Sequence, residues 1–256
     1  MYSVQIIFIV GNEERKQALI RQLQELDIPF AVYFLKASLP ENTQDYLPQD
    51  ETEYQKRHIC ISRSHIRAIE HASLDSSPDL SIIMEDDAAF HKEYFVPAVL
   101  EILEKWDTLL YKNEHMLSLG WVPMHNYKYY EIKQEPTYLS SVPGSKAVPS
   151  YVWGLQAYMI KRSSAQKFIP IIKKNTHKEF VQSICTYKPD KIKEENCKIV
   201  DHWVNKLLGQ VPHFPLLVIE QKNTKSMVGT DVKFEIHPWD NLFIGKEDEQ
   251  KRYWSF

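Results

Sequence analysis

Glu85, Asp86 and Asp87 follow one another at the end of an apolar run in "LSIIMEDDAAF", residues 80–90. Adjacent carboxylates repel, and one way to offset that cost is a divalent cation lying among them. Hard oxygen ligands suit magnesium and manganese, which one or two carboxylates can hold together with substrate phosphates. In an open α/β sheet, ligands gather beyond the carboxyl ends of the strands, which is where these acids fall if "LSIIM" is a strand. The chemistry this points to is a metal-diphosphate site. The same residues also fit a helix start, with Asp86 or Asp87 capping "AAFHKEYF" and the acids favouring the positive helix end.

The elements around the acids decide where they can point. "VQIIFIV" reads as a buried strand. In the following "GNEERKQALIRQLQELDIPF", Ala18, Leu19, Leu23 and Leu26 recur at helical spacing until Asp27 to Pro29 ends the pattern. "FAVYFLKA" supplies a second strand, and residues 39–57 a polar, Pro-containing loop. In "HICISRSHIRAIEHASLD", Ile61, His65, Ile69 and Ala72 share one helical face. "LSIIM" is an unbroken apolar run, the pattern of a strand covered on both faces.

Beyond it come a helix ("YFVPAVLEILEKW"), a strand ("HMLSLGW"), a long Tyr-rich excursion, a strand ("VWGLQAYMI"), helices at "KRSSAQKFIPIIKKN" and "DHWVNKLLGQ", and a last strand in "PLLVIEQ". This alternation predicts an α/β fold with a mainly parallel central sheet. It is expected to form a single catalytic domain over residues 1–239, followed by a charged tail, 240–256.

The chain of 256 residues is 43% hydrophobic, enough to bury a full core. Its 31 Lys plus Arg are interspersed with 34 Asp plus Glu, and no basic stripe is present, which argues against a nucleic-acid partner. No apolar segment reaches the roughly 20 residues that a membrane-spanning helix needs. A soluble, cytoplasmic protein with at most peripheral membrane contact is expected. The odd set Cys60, Cys185 and Cys197 has no C-x-x-C pair, so reduced thiols are the expectation, with a staple between Cys185 and Cys197 as the alternative.

Several segments, in order, resemble glycosyltransferase family 25, which includes lipooligosaccharide glycosyltransferases and procollagen galactosyltransferases. "EERKQALIRQLQELDI" is similar to the family's opening Arg-rich helix, and "CISRSHIRAI" to its Cys-x-x-x-Ser-His helix through Cys60, Ser64 and His65. "IIMEDDAAF" resembles its acidic signature, "WGLQAYMIKRSSAQKFI" its Gly-x-x-x-Tyr segment, and "VDHWVNKLL" with "PLLVIEQKNTKS" its closing portion. Val10, Gly11 and Asn12 stand where the family more often shows Asn-Leu, and Lys16 where a second Arg is common.

The resemblance implies a GT-A type nucleotide-sugar transferase fold and transfer of a hexose, galactose or glucose, from a UDP-sugar with inversion. The acceptor is a hydroxyl of a glycan, lipid-linked or protein molecule. It also implies Mn²⁺ or Mg²⁺ as cofactor, with Asp87 reaching the metal and Glu85 and Asp86 orienting the ribose or metal-bound water. Asp201 matches the family's acidic residue and is the candidate general base, although an Asp at a helix start is also a good N-cap.

Gly11 and Arg15 are assigned to donor binding, since a loop and helix end there can meet a nucleotide; a solvated helix-face charge is the other reading of Arg15. His65 is read first as a satisfied buried histidine and, through the family match, as a residue shaping the donor site. Trp121, Tyr127, Tyr129, Tyr130 and Trp153 suit either a sugar-binding surface or simple packing. His202 is either a neighbour of the base or an ordinary surface residue. A nucleotidyltransferase would also use strand-end acids and a metal, but only seven glycines and no G-x-G-x-x-G leave it without the usual phosphate loop. A non-catalytic glycan-binding descendant is the third reading.

Overall fold

A computed structural model describes residues 2–42, 53–109, 115–123, 152–174, 204, 208, 210–212 and 217–220. Six strands form the central sheet in the order β2-β1-β3-β6-β5-β7. They are β1 (Val4–Val10), β2 (Ala31–Lys36), β3 (Leu80–Glu85), β5 (Met116–Pro123), β6 (Val152–Lys161) and β7 (Gln210–Pro212). β1 pairs in parallel with β2 and β3, and β5 with β7, whereas β6 runs antiparallel to both β3 and β5. All strands but β6 therefore point the same way. This is the α/β class with a mainly parallel sheet that the alternation of elements predicts.

The largely apolar character of β1 and β3 follows from burial on both faces, and their buried polar pair, Gln5 and Ser81, is hydrogen-bonded at 2.9 Å. Side chains alternate across a strand. Ile6, Phe8 and Val10 accordingly join a core with Leu19 and Leu23 of α1 (Glu13–Glu25) and with Val99, Ile102 and Trp106 of α3 (Phe95–Leu109). Ile7 and Ile9 join a second core with Ala68, Ile69 and Ala72 of α2 (Glu53–Ala72) and Phe168 and Ile169 of α4 (Arg162–Lys174). The sheet thus lies between two helical layers. Val204 and Leu208, one helical turn apart in "DHWVNKLLGQ", are helical and buried in the second core, in line with the helix expected there.

Local chemistry sets the limits of α1. Asn12 is its N-cap and accepts the Arg15 N–H at 2.9 Å, while Glu13 and Glu14 occupy the first turn, where the helix dipole favours them. At the other end Asp27 adopts φ 47°, a left-handed conformation that stops the helix. The break expected at Asp27 to Pro29 is found there.

Two short strands depart from the expectation. β4 (Ala88–Phe90) follows the acids directly and pairs antiparallel with β8 (Val218–Glu220) in a separate two-stranded sheet. The segment "AAF" is therefore strand, and α3 does not begin until Phe95. This removes the helix-start reading of Asp86 and Asp87. The last strand expected in "PLLVIEQ" exists, but it pairs with β4 instead of joining the central sheet. Phe90 ties this small sheet to the core, its ring meeting Phe95 at 4.8 Å and Phe8 at 6.1 Å between centroids.

β8 also passes close over β5. A Cβ placed on Gly120 would stand 2.8 Å from the Val218 carbonyl oxygen, a backbone atom that cannot swing aside. Gly120→Ala should therefore destabilise the fold by about 1–3 kcal/mol, as overpacking does in well-packed interiors. An unchanged urea midpoint would show that β8 can give way at no cost. The expected tail, 240–256, lies outside the described residues.

Candidate active site at the end of strand β3

β3 ends at Glu85, and Asp86 and Asp87 form the turn into β4. The alternation that builds the two cores also separates the acids. Glu85 follows the parity of Ile83 and turns to the α2 layer, where its Oε1 lies 3.1 Å from His65 Nε2. Asp86 follows the parity of Met84 and turns to the α1 layer. There its Oδ2 accepts the Gly11 N–H at 2.7 Å and its Oδ1 accepts from Arg15 Nη1 at 2.5 Å. Asp87, 8% exposed, follows at the turn.

Repulsion among the three carboxylates is thus relieved by divergence and by one cation. The Arg15–Asp86 pair is largely out of solvent, with side-chain exposures of 14% and 7%. Gly11 and Arg15 both come from the β1–α1 connection, because β1 lies beside β3 and their carboxyl ends coincide. The structure thereby brings together Gly11, Arg15 and Asp86, three of the residues singled out in the sequence. Arg15 is not a solvated helix-face charge.

His65 is 1% exposed and bonded at both ring nitrogens, with Nδ1 3.1 Å from the Tyr158 hydroxyl and Nε2 against Glu85. Of its neighbours on α2, Ser64 accepts the Ser38 N–H and donates to the Cys60 carbonyl, each at 2.9 Å. The Cys-x-x-x-Ser-His spacing thus fastens the loop after β2 to α2 and aims the histidine at the end of β3. Cys60 is buried, 1% exposed.

Asp201, His202, Tyr127, Tyr129, Tyr130, Cys185 and Cys197 lie outside the described residues, as do the side chains of Trp121 and Trp153. No cluster of three or more His, Cys, Asp or Glu placed to hold a metal occurs among the described residues.

Sequence reasoning passed over Tyr158's role at His65 and also Gln156. Gln156 is 7% exposed on β6, one residue beyond the last register pair of β6 with β3, Met84 with Ala157. Its Oε1 is buried and meets no hydrogen-bond donor among the described residues. Leaving such an acceptor unmet costs about 1–3 kcal/mol. An isolated glutamine in an apolar strand carries no periodic signal that would have marked it.

Burial also disfavours the charged form of two imidazoles. Desolvation pushes the pKa of His58, on α2, and of His91, just after β4, below the usual histidine value, in His91 against a smaller opposing effect of Glu93. The His91 Nδ1 accepts the Tyr94 N–H at 3.2 Å ahead of α3, which requires that nitrogen to be unprotonated. With a lowered folded pKa, the unfolded chain binds more protons as pH falls below about 6.5. The stability contributed by the neutral rings is thus complete above that pH and is lost on acidification through the folded values. The melting temperature should decline below pH 6.5, and His91→Asn, which keeps an acceptor before α3, should flatten the decline. Identical slopes in the two proteins would exclude His91 as a source.

The carboxylates at the end of central strand β3 thus stand beside the loop and helix start supplied by β1, within a mainly parallel α/β sheet. Residues 1–184 match the family described as glycosyltransferase family 25 (LPS biosynthesis protein), and the chain belongs to that family. It is a glycosyltransferase by family, and so acts between a sugar donor and an acceptor.

No curated protein matches it significantly in sequence. Among solved structures it is similar to a glycosyltransferase involved in the glycosylation of the major capsid of PBCV-1, with 12% identity, 87% of this chain and 94% of that chain covered, and a TM-score of 0.40. A197 from STIV is similar at 11% identity, 88% and 96% coverage and a TM-score of 0.37. Mouse xyloside xylosyltransferase 1 in its apo form gives 14%, 80% and 68%, and 0.39. No helix among the described residues is long and apolar enough to cross a membrane.

Proposed function

We propose that this protein is an inverting, divalent-metal-dependent glycosyltransferase that moves a hexose, galactose or glucose, from a UDP-sugar to a hydroxyl of a glycan or glycoconjugate. The observation that carries the reading is the placement of Glu85, Asp86 and Asp87 at the carboxyl end of β3, with Gly11 and the start of α1 directly beside them.

In this reading the Asp86–Arg15–Gly11 cluster shapes the floor on which the nucleotide rests, and the Gly11 loop and first turn of α1 present a positive helix end to the diphosphate. Asp87 is the acid that would hold Mn²⁺ or Mg²⁺. A carboxylate oxygen at a turn, completed by diphosphate oxygens, is a donor set these hard cations accept. Bound there, the ion would neutralise charge on the departing diphosphate. The acceptor oxygen attacks the anomeric carbon, the bond from that carbon to the diphosphate oxygen breaks, and the hydroxyl proton passes to Asp201 as general base. The buried Gln156 Oε1, which meets no donor among the described residues, is an acceptor suited to a sugar hydroxyl.

Thermal denaturation with a panel of UDP-sugars, with and without manganese, tests the reading. At a hundredfold excess over its dissociation constant, a ligand bound only by the native state stabilises it by about 2.7 kcal/mol. One UDP-hexose should raise the melting temperature in the presence of manganese, and EDTA should abolish both the shift and sugar transfer. Transfer that survives exhaustive chelation would remove the metal from the mechanism. Binding without transfer or hydrolysis would favour a non-catalytic descendant.

A further inference from the structure

We propose that Tyr158 is a positioning residue for Glu85, acting through His65; the proposal rests on the reading of Glu85 as part of the donor site. The Tyr158 hydroxyl lies 3.1 Å from His65 Nδ1, and His65 Nε2 lies 3.1 Å from Glu85 Oε1. The three side chains form a line from the core to the edge of the site. Tyr158 is fully buried, His65 is 1% exposed, and the Glu85 side chain is 32% exposed.

In the proposed relay an ionised Glu85 accepts from His65 Nε2, and a neutral His65 accepts at Nδ1 from the Tyr158 hydroxyl. The two rings also stack, with centroids 5.8 Å apart and planes 28° from parallel. The imidazole is therefore held at both nitrogens and along one face.

This arrangement serves a purpose that packing alone does not need. Tyr158, on β6, belongs to the core that also contains Ile69, Ile83 and Phe168, and His65, on α2, is buried at 1% exposure. Glu85 is the last residue of β3, in register with Ile9 of β1, and its carboxylate reaches the edge of the site. A buried hydroxyl that orients a histidine, which in turn orients a ligand-side carboxylate, follows the logic of outer-shell partners around metal and substrate sites. Loss of such partners costs about 10- to 100-fold in affinity or activity.

The test combines imidazole ¹⁵N NMR with donor kinetics on wild type and Tyr158→Phe, which keeps the ring and removes only the hydroxyl. Wild type should show His65 protonated at Nε2, with a hydrogen-bonded Nδ1. In Tyr158→Phe the Nδ1 resonance should move to that of a nitrogen without a donor, and the Nε2 resonance should shift with it. The value of kcat/KM for the UDP-sugar should fall about 10- to 100-fold with the acceptor KM unchanged. The melting temperature should change by no more than the few degrees expected for one hydrogen bond.

An unchanged Nδ1 resonance, or unchanged donor kinetics beside an altered resonance, would overturn the proposal. So would a loss of activity that tracks a large fall in melting temperature, which marks a packing defect. If wild type transfers sugar from no UDP-sugar, the functional reading fails by itself. The relay is then decided by whether removing the hydroxyl is felt at both ring nitrogens.

Discussion

Arg15→Met should lower the stability of the protein by about 3–5 kcal/mol, because it strands the Asp86 carboxylate in a place with little access to water. The pair is 14% and 7% exposed at its two side chains, so solvent screening takes little away from the effect. The Gly11 N–H that remains on Asp86 Oδ2 moderates the loss without replacing a full positive charge. Against total stabilities of about 5–15 kcal/mol, this is a large fraction. Urea denaturation is the direct measurement, and the double replacement Arg15→Met with Asp86→Leu should recover much of the loss, since exchanging both members of a buried ion pair for apolar groups is often neutral. A midpoint for Arg15→Met within the range of a surface ion pair, under about 1 kcal/mol, would mean that Asp86 is solvated after all.

The largest effect on activity should come from Asp87→Asn. The amide keeps the size and shape of the side chain at the β3–β4 turn but removes the charge assigned to the cation. Turnover should fall about 100- to 1000-fold, the scale seen when one electrostatic contact to developing charge is deleted, and the manganese-dependent rise in melting temperature with UDP-sugar should vanish. Circular dichroism and the melting temperature without ligand serve as controls for folding. A variant within twofold of wild-type turnover would free Asp87 from the metal and move the assignment to Glu85 or to residues beyond those described.

How far the chain could be read before its structure depended on the kind of signal each part carries. Long periodic segments were plain: the two-sided burial of β1 and β3 shows as largely apolar runs, and the His65 face of α2 shows as helical spacing. β4 and β8 were harder because three residues carry no period, and "AAF" after two aspartates reads equally well as the opening of a helix. The gathering of Gly11, Arg15 and Asp86 was legible in part, since adjacent parallel strands must present their carboxyl ends together. Their mutual bonding was not, because pairs more than seventy residues apart leave no mark in a single sequence. The same holds for Tyr158 and His65. Family likeness marked each as part of a motif, while only the fold shows that the two motifs meet.

The reversed strand has a bearing on how the chain acquires its shape. β6 pairs with β3 on one side and β5 on the other, so β3, buried along nearly its whole length, has nothing along one flank until residue 161 has been made. At ribosomal rates of about 5–20 residues per second, that leaves a bare ladder of amides and carbonyls exposed for several seconds. Open ladders of this type recruit other chains. Yield in a recombinant host should therefore respond more to temperature and chaperone supply during synthesis than to the stability of the finished molecule.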